Sequence, residues 1–280
     1  MTSFTVEPKI EDVQAHPDTR GIPIDYVGIC DLRYPIVVLE PDGRRQETIA
    51  RLGMSVSLPH HFKGTHMSRF VEVLNEHRGE ITMRTMPRLL RDLKDRLEAV
   101  KAKIEVEFPY FVEKTAPVSG ARGLMDYTCR FIGEADGDTD DFVLGVEIPV
   151  ASLCPCSKAI SDYGAHSQRG AVTIRVRSSL GSDGKPQLIW IEELVDLAEQ
   201  SASAPVYPIL KRSDERHVTM QAYDNPRFVE DILRNAALAL MADTRIAWFS
   251  LHVENHESIH NHNAFATIEW ARPTTTLTSA

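Results

Sequence analysis

Two segments of this chain concentrate side chains able to hold a metal or move a proton. The first is Ser152-Leu153-Cys154-Pro155-Cys156-Ser157-Lys158, followed closely by His166, Gln168 and Arg169. A Cys-x-Cys beside Pro and Lys favours the thiolate, which is both a nucleophile and a metal ligand. Free cysteines are ordinarily small buried hydrophobes, but the Ser, Lys, His, Gln and Arg around these two are poor core material. The second segment, residues 252–263, holds four of the eleven histidines, His252, His256, His260 and His262, beside Glu254 and Glu257. Imidazole and carboxylate are ordinary ligands of zinc, manganese and iron, and a thiolate from the first segment would complete a mixed site if the two segments met. Neither a Cys-x-x-Cys pair nor a His-Glu-x-x-His run is read here, so spacing alone leaves a solvated polar loop as the alternative.

Two further places carry charge in suggestive settings. Lys211-Arg212-Ser213-Asp214-Glu215-Arg216-His217 offers cations for phosphates and a carboxylate for a metal, although by itself it reads as a charged turn. Glu230 lies in Pro226-Arg227-Phe228-Val229-Glu230-Asp231-Ile232-Leu233, read as part of an otherwise apolar helical run. A carboxylate there either faces solvent or points into a pocket and accepts ligand N–H groups, and periodicity does not decide between them.

The elements that must position these groups follow from the hydrophobic period. Residues 26–39 and 46–58 alternate as strands around the Pro41-Asp42-Gly43 turn signal and form a hairpin. A helical period covers 64–78, with Thr65 as N-cap and Met67, Phe70, Val71 and Leu74 on one side. A second helix spans 87–102, with Leu89, Leu90, Leu93, Leu97 and Val100 on one face and Pro87 at its start. Strands are expected at 104–113 and 125–132, with the acidic stretch 134–141 as a solvated loop. The second half repeats the order: strand 142–150, the cysteine loop, strand 171–179, helices 191–201 and 226–242, then strands 246–254 and 264–271. The expectation is an α+β fold of two tandem modules, 26–141 and 142–280, after a partly flexible arm at 1–25, with paired helices packed on one face of antiparallel sheet.

With 280 residues and 42% hydrophobic content the chain is long and apolar enough for a sizeable core. A formal net charge of −9 argues against long nucleic acid as a partner. No apolar leader and no run of about 18 apolar residues suggest export or a membrane span, so a cytoplasmic location is expected. Four cysteines in a chain of this size read as reduced thiols rather than a disulfide framework.

Four separated strings, SLCPCSKAISDYGAHSQRG, SASAPVYPILKRSDE, NPRFVEDILR and ENHESIHNHNAFA, occur in an order that resembles the type IB GTP cyclohydrolase family. The first half is similar at 54–59 and 63–70, with fewer polar signature residues. The resemblance implies a tunnelling fold, assembly into a homotetramer with sites at interfaces, and GTP as substrate. Carried over residue by residue, it implies Cys154, Glu215, Glu257 and His260 as ligands of a divalent zinc, manganese or iron(II) ion. It places His166 and His262 near the reacting centre, with Cys156 a second thiol of open role. Glu230 matches the carboxylate that anchors a purine or pterin ring, and Lys211 and Arg212 are candidates for the triphosphate.

The implied chemistry is hydrolytic. A divalent metal makes hydroxide available near neutral pH to add to C8 of guanine, and His166 moves protons as the ring opens. C8 leaves as formate, and the ribose rearranges and closes to 7,8-dihydroneopterin triphosphate for tetrahydrofolate synthesis. Two rival readings stand beside it. An NADPH-dependent nitrile reductase of the same fold would carry a Glu-Ser-Lys-Ser-type run, absent here, and would not need the His and Glu segment at 252–263. A non-catalytic oligomer that binds a pterin or purine would not need a thiolate, carboxylate and imidazole together.

Overall fold

The computed structural model describes residues 12–77 and 81–273. The first eleven residues of the expected arm, Arg78 at the end of the expected first helix, and the last seven residues lie outside the described part. In order, the elements are β1 (Ile24–Leu39), β2 (Arg45–Leu58), α1 (Met67–Glu76), α2 (Met86–Leu97), β3 (Lys101–Thr115) and β4 (Arg122–Asp136). There follow β5 (Thr139–Leu153), α3 (Pro155–Ile160), β6 (Ser167–Ser178), α4 (Ile191–Ser201) and the two-residue β7 (Ala204–Pro205). The chain ends with α5 (Arg212–Asp224), α6 (Val229–Ala242), β8 (Ile246–Asn255) and β9 (Ala264–Ala271). The architecture is α+β.

All pairings are antiparallel and run through one sheet in the order β1-β2-β3-β4-β5-β6-β8-β9, with β7 added to β5. Burial alternates along the central strands, as in Ala102, Ile104, Val106, Phe108 and Tyr110 of β3, while Lys103, Glu105 and Glu107 occupy the opposite face. The helices cover the apolar face. From α2 come Met86, Leu89, Leu90, Leu93 and Leu97, and from α6 come Val229, Ile232, Ala236, Ala237 and Leu240, all in one continuous core.

Several boundaries differ from the sequence reading for identifiable reasons. The second helix stops at Leu97 because Glu98 turns left-handed (φ 53°), and Val100 is exposed rather than on the apolar face. The first helix has no side-chain cap: Thr65 is buried, and its carbonyl accepts from Gln14 Nε2 at 2.9 Å. Its buried residues are Phe70, Val73 and Leu74, whereas Met67 is exposed. The acidic stretch 134–141 is no loop. β4 and β5 continue through it, with Asp136 paired to Thr139 around Gly137 at φ 58°, a tight turn that acidic side chains tolerate because they point to water. The module boundary expected at 141/142 therefore falls inside β5.

Of the arm, residues 14–18 are fastened to the segment after β2: Asp18 N donates to the His61 carbonyl at 3.1 Å, and Gln14 and His16 carbonyls accept from Gly64 and Lys63.

Candidate active site

Three strand ends meet at one edge of the second half. β5 and β6 pair Leu153 with Ser167 and Ser152 with Gln168, and β6 and β8 pair Gly170 with Asn255. This register brings the cysteine segment, the start of β6 and the segment after β8 side by side, although about a hundred residues separate the first from the last. The backbone N of Cys154 donates to the His166 carbonyl at 3.1 Å, and the His166 N donates to Ser157 Oγ at 3.0 Å. The His166 imidazole Nδ1 lies 2.9 Å from Ser258 Oγ, so the ring is oriented by the 256–263 segment. Gln168 Nε2 donates to Glu257 Oε1 at 2.9 Å, and His256 N donates to the Arg169 carbonyl at 2.8 Å.

The cysteine segment is not a plain loop. Pro155 starts the short helix α3, and Cys154 is its N-cap: Ser157 N donates to Cys154 Sγ at 3.5 Å. Cys154 is half-buried, whereas Cys156 points to solvent. Beneath them Asn255 Nδ2 donates to Ser152 Oγ at 3.2 Å, and Ser152 Oγ donates to the Arg227 carbonyl at 3.0 Å. Arg227 N in turn donates to the Leu153 carbonyl at 3.1 Å. This network ties the start of α6 to the residue before Cys154.

The charged stretch 211–217 is helical rather than a turn. Lys211 precedes α5, whose Val218 and Ala222 pack on Leu153, Ala204 and Ala165, directly beside the cysteine segment. Lys158 of α3 donates to the Tyr223 carbonyl near the end of α5, with its ammonium 4.3 Å from the Tyr223 ring centre. Sequence reasoning missed this helix because charged residues break its apolar period; only Asp214 and Ala222 are buried along it.

Of the candidate residues, Cys154, His166 and Glu257 are brought onto adjoining segments. His260 and His262 are exposed on the segment between β8 and β9, their rings stacked 5.2 Å apart. Glu215, Lys211 and Arg212 lie exposed at the start of α5. Glu230 is also exposed, in the first turn of α6, where a carboxylate suits the helix dipole. An apolar setting for Glu230 is thus not what the fold provides; only one face of that helix is apolar. Among the described residues no three His, Cys, Asp or Glu side chains converge as a metal site.

The string His256-Glu257-Ser258-Ile259-His260 does have the His-Glu-x-x-His spacing. It lies in irregular backbone after β8, so the helical geometry that makes such a pair share one face is missing. Arg227, Asn255 and Ser258, which the sequence reading did not single out, join Ser152 and Gln168 in supplying the supporting bonds, and no spacing rule flags those three. The donor chemistry of Cys154, Glu215, Glu257 and His260 suits a divalent cation, and Gln168 already holds Glu257 by one oxygen.

Comparison with known proteins decides the lineage. The family model described as type I GTP cyclohydrolase folE2 matches residues 10–266. The chain belongs to that family. It is 56% identical over 261 residues to GTP cyclohydrolase FolE2 of Syntrophotalea carbinolica, covering 93% of this chain and 95% of that protein. It is 55% identical over 258 residues to GTP cyclohydrolase FolE2 of Geobacter sulfurreducens, covering 92% and 97%. Solved structures with a similar fold include uricase from Arthrobacter globiformis, at TM-score 0.51 and 8% identity over 89% of this chain and 93% of that one. Another is a highly active mutant of urate oxidase from Bacillus sp. TB-90, at TM-score 0.54 and 9% identity over 89% and 100%. At such identity these show the fold alone, and that fold is the tunnelling fold.

Proposed function

We propose that this chain is a GTP cyclohydrolase that opens the guanine imidazole ring of GTP, yielding formate and 7,8-dihydroneopterin triphosphate at the first step of tetrahydrofolate synthesis. The observation that carries this reading is the meeting of Cys154, His166 and the 257–258 segment at one sheet edge in a chain of this family. Cys154, Glu215, Glu257 and His260 would hold a divalent zinc, manganese or iron(II) ion, which supplies water of lowered pKa when bound. His166, oriented by Ser258, donates and accepts protons at the ring nitrogens as the C8–N bonds break. The Glu230 carboxylate accepts from guanine N1–H and the 2-amino group, and exposure at the start of α6 leaves it open to do so. Lys211 and Arg212 pair with the triphosphate. His262 lies on the same segment as His260 and serves the reacting centre, while Cys156 stands aside.

The donors of the set are spread over α3, α5 and the segment after β8, so we infer that a homotetramer in the cytoplasm completes each site at an interface. Exposed Ile160, Tyr163, Met220, Tyr223, Phe228 and Ile259 around these segments suit a second copy. Purified protein loaded in turn with zinc, manganese or iron(II) and given GTP tests the proposal: formate and a fluorescent oxidised pterin are expected. Tight binding of a pterin with no turnover of GTP in any metal form would transfer the case to the non-catalytic reading.

A further inference from the structure

The cluster of candidate residues lies entirely in the second half, yet the start of α5 is built against the first. Lys114, near the end of β3, donates to the Val206 carbonyl at 2.8 Å, pairs with Glu199 of α4 and stands 4.6 Å over the Tyr207 ring. Across the hairpin Gly123 of β4 leaves room for the chain: a Cβ there would come within 2.9 Å of Pro208 Cγ and 3.1 Å of Ile209. At the tip of the same hairpin, Val118 N and Ser119 N each donate to Asp214 Oδ1 at 2.8 Å, and Ser119 Oγ donates to Asp214 Oδ2 at 2.6 Å. The same Oδ2 accepts from Lys211 N at 2.8 Å, closing the first turn of α5. Asp214 is completely buried, and all four contacts are charge-assisted. Glu215, the next residue, is exposed, with no side-chain hydrogen bond or ion pair among the described residues.

We propose that Asp214, clasped by Ser119 of the β3–β4 hairpin, is a positioning residue that fixes the first turn of α5 and so presents Glu215, Lys211 and Arg212 to the site. A buried carboxylate that accepts four hydrogen bonds has one orientation, because every alternative leaves an oxygen of the buried anion short of donors. That rigidity passes through a single peptide unit to Glu215. The first half, which contributes none of the candidate site residues, thus reaches the first turn of α5 through the clasp on Asp214. The inference rests on the reading of Glu215 as a ligand given above.

The test uses the full chain in its assembled state, with Ser119→Ala, Asp214→Asn, Ser119→Thr, Glu215→Gln and the core variant Leu90→Ala as a stability control. Three quantities are read well below the melting temperature: amide hydrogen exchange over residues 211–217, the dissociation constant for Mn²⁺ alone, and kcat and KM for GTP. Ser119→Ala and Asp214→Asn are expected to speed exchange in that turn, weaken Mn²⁺ binding and lower kcat/KM. The loss should be about 10-fold for Ser119→Ala and up to about 100-fold for Asp214→Asn, the scale of small misplacements in a site. Ser119→Thr, which keeps the hydroxyl on an exposed residue, should restore all three. If Ser119→Ala and Asp214→Asn lower only the melting temperature, as Leu90→Ala should, while Glu215→Gln loses metal, the clasp is structural and the proposal falls with the site reading intact. Unchanged Mn²⁺ binding and turnover in Glu215→Gln would instead overturn the ligand reading itself, and with it the role given to Asp214.

Discussion

The two halves use the same order, a strand pair, helices and a strand pair, but they treat polar groups differently. In the first half, charges on the uncovered sheet face are paired: Arg51 with Asp31, Arg130 with Glu107, and Lys103 with both Glu105 and Glu134. The helix α2 contributes only apolar side chains to the core, and Cys129 is buried so deeply that its thiol is pushed well above the usual range. In the second half, the helix inventory grows by α3 and α5. The buried side-chain atoms without a hydrogen-bond partner among the described residues are Gln168 Oε1, Glu192 Oε2, Arg227 Nε and Asn255 Oδ1, all C-terminal to β5. Three of these belong to residues that support the Cys154 and His166 segments. The same strand order therefore carries no unpaired buried side-chain atom among the described residues of the first half, and four in the half that holds the candidate site.

The largest test of this contrast is Cys154→Ala, which should bring turnover to background and weaken metal retention, while Cys156→Ala keeps most of both, as suits an exposed thiol. Equal losses in the two variants would mean that the sulfur has been assigned to the wrong residue. Next comes His166→Ala, for which turnover should fall roughly 10²–10⁴-fold with metal retained; Ser258→Ala, which only frees the ring, should cost about 10-fold or less. A His166 variant that emerges metal-free would make the imidazole a ligand.

On the scaffold side the sign reverses: Leu93→Ala in α2 should cost about 2–5 kcal/mol of stability, measured by denaturant unfolding, with kcat per folded molecule unchanged. Loss of turnover at constant fold would blur the division between the halves. Tyr110→Phe makes a smaller change at the junction. Tyr110 and Tyr127 face each other across β3 and β4, and their hydroxyls donate to Glu192 Oε1 at 2.5 Å and Glu199 Oε1 at 3.3 Å on α4. Burial first, then the Glu192 carboxylate, raises the Tyr110 phenol far above 10.0. A group whose proton is held more tightly in the folded state contributes stability that is complete below the ordinary value and is lost as pH rises beyond it. The variant should be about 1 kcal/mol less stable near neutrality, and its alkaline limb above pH 10 should be shallower than the parent's. Parallel limbs would remove the hydroxyl from the account. Smallest of all, mild alkylation should label Cys30 and Cys156 readily and leave Cys129 untouched until the chain unfolds, as mass spectrometry of the native protein would read.

What the sequence determined by itself is the set of elements whose period is local. The strands from 246 and 264 and the helix 191–201 begin where the pattern placed them, because alternation and the 3.6-residue period are written in neighbouring residues. The chemical strings around Cys154, His166 and Glu257 were legible for the same reason, and their order pointed to the family. What only the tertiary structure decided is contact between distant segments: the register that sets Leu153 against Ser167 and Gly170 against Asn255, and so brings His166 to Ser258. It also turned the charged stretch 211–217 into a helix, since α5 is held at its start by a carboxylate clasped from another hairpin and along one side by Ala222, not by an apolar stripe. Such contacts depend on which strands become neighbours, and no local pattern carries that information.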